Sequence, residues 1–164
     1  MSTITQGIDA RAYLSGWLEG LVSMYSADIA AIPDDKWHAT FGGCTRPASE
    51  LTADAIGMLS WTTQALNGNL DADYEAAITE RFKTSCATKE GAANALRTTA
   101  EEFNRALASA SDETLNKIVA PPWKMDAPLF MLAQIAVSHI WYHDGQLNYI
   151  QCLLGDEKIH WMGD

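Results

Sequence analysis

The chain has 164 residues, of which 48 % are hydrophobic and 20 % are charged, a balance typical of a single globular domain over residues 1–164. Its formal net charge is −10 at pH 7 and it has no basic run, which argues against binding to nucleic acids or to anionic membranes. Its three cysteines form no C-x-x-C pair and its first residues do not resemble a signal peptide, so we expect a cytoplasmic protein without disulfides.

Helical periodicity dominates the sequence, and the five prolines fall between the periodic segments or at their starts. Gly16 and Gly20 lie one turn apart in the first periodic segment, and we interpret them as positions where another helix packs closely. Gly155 ends the last segment. The predicted long helices cover about 9–31, 47–67, 89–110 and 128–154, with a short helical segment at 74–82.

Four long helices with connections too long for simple hairpins predict an all-α four-helix bundle with long crossover loops. A helical solenoid is the alternative all-α architecture, but the sequence contains no internal repeat. The longest apolar region, 127–142, is interrupted by Gln134, Ser138 and His139. It is too short and too polar to span a membrane.

The fourth predicted helix carries two histidines, His139 and His143, on its apolar face. Residues four apart on a helix lie one turn apart, so both imidazoles can reach one metal ion. Gln146 follows three residues later and can orient a ligand or contact a substrate, and Gly145 beside it predicts a close backbone approach. The alternative is a hydrogen-bonded pair without an ion. The full stripe is Leu132, Ile135, Ala136, His139, His143, Gln146, Leu147 and Ile150.

A metal site in a bundle needs a further ligand from another helix, and Asp54 is the best candidate. It flanks the apolar stripe of the second predicted helix, where a buried carboxylate is costly unless it is paired or bound to metal. The alternative is a solvated Asp54 at the edge of that stripe. Glu50 could serve instead, and His38 and His160 are weaker candidates in loop or terminal segments.

The sequence names no catalytic residue, because it has no Ser-His-Asp arrangement, no phosphate loop and no identifiable general base. Three aromatic residues of the fourth predicted helix, Trp141, Tyr142 and Tyr149, are interpreted as packing rather than as part of a pocket.

The segment HIWYHDGQLNYIQCLLG resembles the last helix of the DinB/YfiT-like proteins. The family signature is a histidine, three residues, a second histidine, any residue, then Gly-Gln-Leu and a late glycine. The matching residues here are His139, His143, Gly145, Gln146, Leu147 and Gly155. The segment RPASELTADAIGMLSW, 46–61, resembles the family's second helix, which carries a further metal-ligand histidine, and this chain has Asp54 at that position.

This resemblance implies a four-helix bundle with a divalent metal site, usually for zinc or nickel, and often a homodimer. Some members are transferases or isomerases that use a low-molecular-weight thiol, and many have no established activity. Asp54, His139 and His143 would then be the metal ligands, with Gln146 in contact with a ligand or the substrate. An aspartate in place of a histidine adds the harder metals manganese and iron to the candidates.

The expected function is therefore that of a divalent-metal-binding protein, with thiol transferase or hydrolase activity on an unknown small-molecule substrate. The alternative is a non-catalytic bundle with a degenerate site and no metal. Such a bundle would act as a small-molecule binder or as a dimeric interaction module.

Overall fold

The computed structural model describes residues 8–70 and 83–162, so the helical segment predicted at 74–82 lies outside the described residues. The four long helices predicted from the sequence are confirmed, each with bounds within about two residues of the prediction. A two-stranded antiparallel pair was not predicted. The elements are α1 (Ala10–Ala31), a 3-10 turn (Asp34–Lys36), α2 (Ala48–Leu66), α3 (Lys89–Ser109), α4 (Asp112–Asn116), β1 (Ile118–Val119), β2 (Ala127–Pro128) and α5 (Leu129–Leu153).

Local signals in the sequence fix the helix ends. The carboxylate of Asp9 accepts from the first backbone N–H groups of α1, and the hydroxyl of Thr88 does the same for α3. Pro128 precedes α5, and Gly155 follows it with φ of +83°, a conformation that favours glycine. These caps satisfy backbone groups that the helix itself leaves without partners.

The four long helices form a ring in which α5 and α3 each pack against both α1 and α2. Their inward faces supply one apolar core with large, fully buried side chains such as Tyr25, Leu59, Phe103 and Leu129. The all-α four-helix bundle is thus confirmed. Within the described ranges, no helix combines the length and the apolar character that crossing a membrane would require.

The close helix packing predicted at Gly16, Gly20 and Gly145 is wrong. A Cβ atom added at any of these glycines would meet no described atom within 4 Å, apart from its chain neighbours and its own helix backbone. The three glycines instead line a cleft of about 490 Å³ between α1 and α5. The indole rings of Trp17 and Trp141, with centroids 5.9 Å apart, make the contact between the two helices here.

Two buried carboxyl groups meet between α1 and α5. Asp28 is 0 % exposed and Asp144 is 2 % exposed. The amide of Asn148 donates to Oδ2 of Asp28 at 2.8 Å, and the amide of Gln151 donates to Oδ1 at 3.2 Å. Burial, together with the neighbouring Asp28, raises the pKa of Asp144 to about 8. Asp144 therefore holds a proton at neutral pH.

The substitution Asp144→Asn should stabilise the protein at alkaline pH. A carboxyl group with a raised folded pKa contributes stability fully below its unfolded value near 4, and this contribution is lost as the pH rises through about 8. Asparagine cannot ionise, so the variant should exceed wild type in unfolding free energy by about 1 kcal/mol or more at pH 8.5. Urea denaturation at pH 5 and pH 8.5 measures this difference.

The matched control is Asp126→Asn, which removes an exposed carboxylate. It should follow wild type at both pH values. Parallel pH profiles for wild type and Asp144→Asn would contradict the assigned pKa shift.

Candidate metal centre

Two helices bring Asp54, His139 and His143 together. Asp54 lies on α2, and both histidines lie on adjacent turns of α5, which packs against α2. One potential ligand atom from each residue lies within 4.8 Å of the others. Nε2 of His143 is 2.9 Å from Nε2 of His139 and 3.3 Å from Oδ2 of Asp54, which is 3.9 Å from Nε2 of His139.

Gln146 orients the buried imidazole of His143. Its Oε1 lies 2.6 Å from Nδ1 of His143, and its amide nitrogen donates to the hydroxyl of Tyr142 at 3.3 Å. Because an amide oxygen only accepts, Nδ1 of His143 donates the proton. In the neutral ring, Nε2 therefore carries the lone pair and faces Asp54 and His139. This is the tautomer that a metal ligand requires.

The charges in the cluster are set by burial and by contacts with His143 and Arg46. Burial, with a smaller contribution from neighbouring His143, lowers the pKa of His139 to about 4. The contact with His143 and the hydrogen bond and charge of Arg46 hold the pKa of Asp54 well below its usual range, although burial opposes them. At neutral pH His139 is therefore neutral and Asp54 is ionised.

Arg46 completes the cluster, and the sequence analysis did not include it. Nη1 of Arg46 lies 2.8 Å from Oδ2 of Asp54, and Nη2 donates to the backbone oxygen of Glu50 at 3.0 Å. Its position just before the start of α2, the helix that carries Asp54, is the signal that could have identified it. The carboxylate of Glu50 lies 3.9 Å from Nε of Arg46 and outside the three-residue cluster.

The donor set fits a divalent metal ion. Ligand atoms bound to one zinc ion at about 2.0–2.1 Å lie roughly 3.3 Å from each other, and the observed separations of 2.9, 3.3 and 3.9 Å bracket that value. Two imidazole nitrogens and a carboxylate oxygen this close repel each other unless a positive centre lies among them. A proton or a metal ion can supply that charge.

The other two histidines have local structural partners and lie outside the cluster. Both ring nitrogens of His38 are within hydrogen-bond distance of partners, Ser49 Oγ in the first turn of α2 at 2.9 Å and the Ala87 carbonyl at 3.0 Å. Nε2 of His160 lies 2.7 Å from Oδ2 of Asp156. Neither residue joins a group of three ligands in the part of the chain that the structure describes.

The interpretation of Tyr142 and Tyr149 as packing is wrong, because they are 62 and 64 % exposed on the outer side of α5. Trp141 is 57 % exposed, and its indole ring packs against that of Trp17. Tyr142 borders the metal cluster, with its ring stacked on His139 at a centroid distance of 6.0 Å. Trp141 borders the cleft on the α1 side.

The fold and the cluster together define a four-helix bundle with an aspartate and two histidines between its second and last long helices. No family model matches the chain, and no curated protein matches it. A similar solved structure is the crystal structure of the mycothiol-dependent maleylpyruvate isomerase, with a TM-score of 0.61 and 13 % identity over 90 % of this chain.

A histidine-to-alanine mutant of that isomerase is similar in the same way, with a TM-score of 0.62, 14 % identity and coverage of 90 % of this chain. The chain spans 63 % of the length of each of these solved chains. At this level of identity, the structural similarity establishes a shared fold and nothing more. It confirms the four-helix bundle that the sequence resemblance implied.

The depressed pKa of His139 predicts a loss of stability in acid. The unfolded chain binds a proton at this histidine near pH 6.5, whereas the folded chain does so only near pH 4. The unfolding free energy should therefore fall as the pH drops from about 6.5 to 4. Relative to His139→Gln, the wild type should lose about 1–2 kcal/mol more between pH 7 and pH 4.5, measured by urea denaturation in EDTA.

Comparison with the variant cancels the opposite contribution of Asp144, which both proteins share. His160→Gln is the matched control, since it removes a histidine whose partner is a carboxylate outside the cluster. An equal acid dependence in wild type and His139→Gln would show that His139 is not held in its neutral form.

Proposed function

We propose that the chain binds one divalent metal ion through Asp54, His139 and His143 and uses it in a thiol-dependent reaction on a small molecule. The observation that carries this proposal is the convergence of three ligand atoms within 4.8 Å between α2 and α5. The fold is shared with an enzyme described as mycothiol-dependent, which supports a low-molecular-weight thiol as a partner. The chain covers only part of that enzyme, so the substrate stays open.

Each side chain has a distinct role in this proposal. A bound ion would lower the pKa of a coordinated thiol or water, which supplies a nucleophile at neutral pH. Asp54 provides the anionic ligand, and neutral His139 provides a lone pair without a proton to displace. Gln146 holds Nδ1 of His143 and keeps its Nε2 directed at the cluster. Three protein ligands are the number that leaves a position for an exogenous group.

Arg46 gives the site a second positive charge. Its guanidinium contacts Asp54, and its side chain is 44 % exposed, so it can also contact a bound molecule. A planar guanidinium recognises carboxylates in a bidentate manner. An anionic substrate or thiol is therefore the class that this site favours.

A metal-free bundle is the second candidate, and the position of Arg46 favours it. Its guanidinium already supplies positive charge to the same oxygen of Asp54 that faces both histidines. In that case a proton shared within the cluster replaces the metal, and the protein acts as a binding or interaction module. The homodimer stays a prediction from the sequence resemblance under either candidate.

The purified, untagged protein should contain about one divalent ion per chain after reconstitution in turn with zinc, nickel, manganese and iron(II). Asp54→Ala and His143→Ala should each lose most of it, because two remaining ligands hold a metal ion weakly. Elemental analysis after gel filtration gives the stoichiometry, and chelator titration ranks the metals.

His160→Ala is the matched control, because it removes a histidine paired with a carboxylate but without a second histidine nearby. It should retain the metal content of wild type. No metal in reconstituted wild type, or full occupancy in His143→Ala, would favour the metal-free module.

Binding of mycothiol to the metal-loaded protein should release about one proton per thiol at pH 7, because a thiol binds a metal as its thiolate. Calorimetric titrations in two buffers with different ionisation enthalpies give the number of protons. The Asp54→Ala protein, which lacks the site, should bind no thiol.

Glutathione and free cysteine test whether another small thiol is preferred. If the metal-loaded protein binds none of these three thiols, the proposed metal site stands and the proposed thiol-dependent reaction is ruled out.

A further inference from the structure

We propose that the cleft between α1 and α5 is a second binding site, specific for a small molecule with a protonated amine on an apolar body. The cleft lies on the opposite side of α5 from the metal cluster. It is bordered by Gly16, Gly20, Trp17, Trp141, Asp144 and Gly145. This site goes beyond the proposed metal-dependent function and does not depend on it.

The cleft is open along its glycines. An added Cβ at Gly16, Gly20 or Gly145 would meet no described atom within 4 Å beyond its own helix backbone and chain neighbours. Each glycine weakens its helix relative to alanine, and no close helix approach at these positions offsets that loss. The resulting volume of about 490 Å³ lies within the range of small-molecule pockets.

One carboxyl oxygen among the residues lining the cleft has no hydrogen-bond donor. Oδ1 of Asp144 is buried and has no hydrogen-bond partner among the described residues. The side-chain amides of Asn148 and Gln151 donate to Asp28 instead. An ammonium group, which carries hydrogen-bond donors and no acceptor, supplies the missing donor beside the two carboxyl groups.

Aromatic side chains give the cleft its apolar walls. Trp17 and Trp141 meet edge to face with centroids 5.9 Å apart, and Trp161 from the C-terminal segment lies at the rim. Indole is the aromatic ring that attracts cations most strongly. A cleft lined by a buried carboxyl group and three indole rings therefore matches an aliphatic or aromatic amine, and it disfavours anions.

The two sites are separated by the geometry of α5. His143 and Asp144 are consecutive residues, each 2 % exposed, and they face α2 and α1 respectively. A ligand between α1 and α5 therefore approaches Asp144 without contacting the metal cluster.

The test is a titration of the full chain with 2-phenylethylamine, 2-phenylethanol and 3-phenylpropionate, which share an aromatic body and differ in charge. Tryptophan fluorescence and ligand-observed NMR report binding. The amine should bind saturably. The alcohol should bind about tenfold or more weakly, as expected for the loss of a hydrogen bond from a charged group. The acid should show no measurable binding.

Gly20→Leu should abolish amine binding while the protein stays folded, because the new side chain enters open space and fills the cleft. Ala108→Leu adds the same side chain at an exposed position of α3 and should bind as wild type does. Asp144→Asn should weaken the amine about tenfold and leave the alcohol unchanged. Asp54→Ala tests whether the amine binds at the metal cluster instead. This variant should bind the amine as wild type does, whereas an amine held by a metal ion would no longer bind.

Equal affinity for all three probes, or retained binding in Gly20→Leu, would overturn the proposal. So would a concentration-dependent dimer in light scattering that Gly20→Leu abolishes, because a second copy of the chain would then occupy the cleft.

Discussion

The structure depends on how α5 buries polar side chains on two of its faces at once. His143 and Asp144 are neighbours in sequence, and each is 2 % exposed. A buried polar group is tolerated only when a partner satisfies it, so each flanking helix must supply one. Asp54 on α2 meets His143, and Asp28 on α1 meets Asp144. The pairing of α5 with both helices is therefore specified by polar contacts as well as by apolar packing.

In both polar contacts, electron-rich atoms face one another. On the α2 side, two imidazole nitrogens and a carboxylate oxygen converge, and the cation available from the chain is Arg46 at the edge of the group. On the α1 side, two carboxyl groups meet, and the raised pKa of Asp144 shows that a proton resolves the repulsion. The two faces differ in the cation they suit. Nitrogen ligands favour a metal ion, whereas a carboxyl group in a cleft lined by indole rings favours an organic ammonium group.

The sequence was sufficient for the helices and for placing His139 and His143 side by side, because both depend on local spacing. Helix bounds follow from periodicity and caps, and the i, i+4 separation of His139 and His143 is fixed by the helix itself. Asp28 and the open glycines could not be predicted in this way, because glycine spacing shows where side chains are missing and not what lies opposite. One available signal was overlooked. Asp144, Asn148 and Gln151 form a polar stripe at steps of four and three.

The position of Arg46 decides how the two candidate functions should be weighed. Its side chain is 44 % exposed and that of Asp54 is 32 % exposed, so their ion pair is partly solvated. Such pairs contribute about 0–1 kcal/mol, whereas a divalent ion held by several protein ligands contributes on the order of 10 kcal/mol. Releasing Arg46 from Asp54 would therefore cost little compared with the gain from binding a metal. The contact does not protect the cluster from metal, and a displaced guanidinium would stay beside the ion, where an anionic substrate would bind.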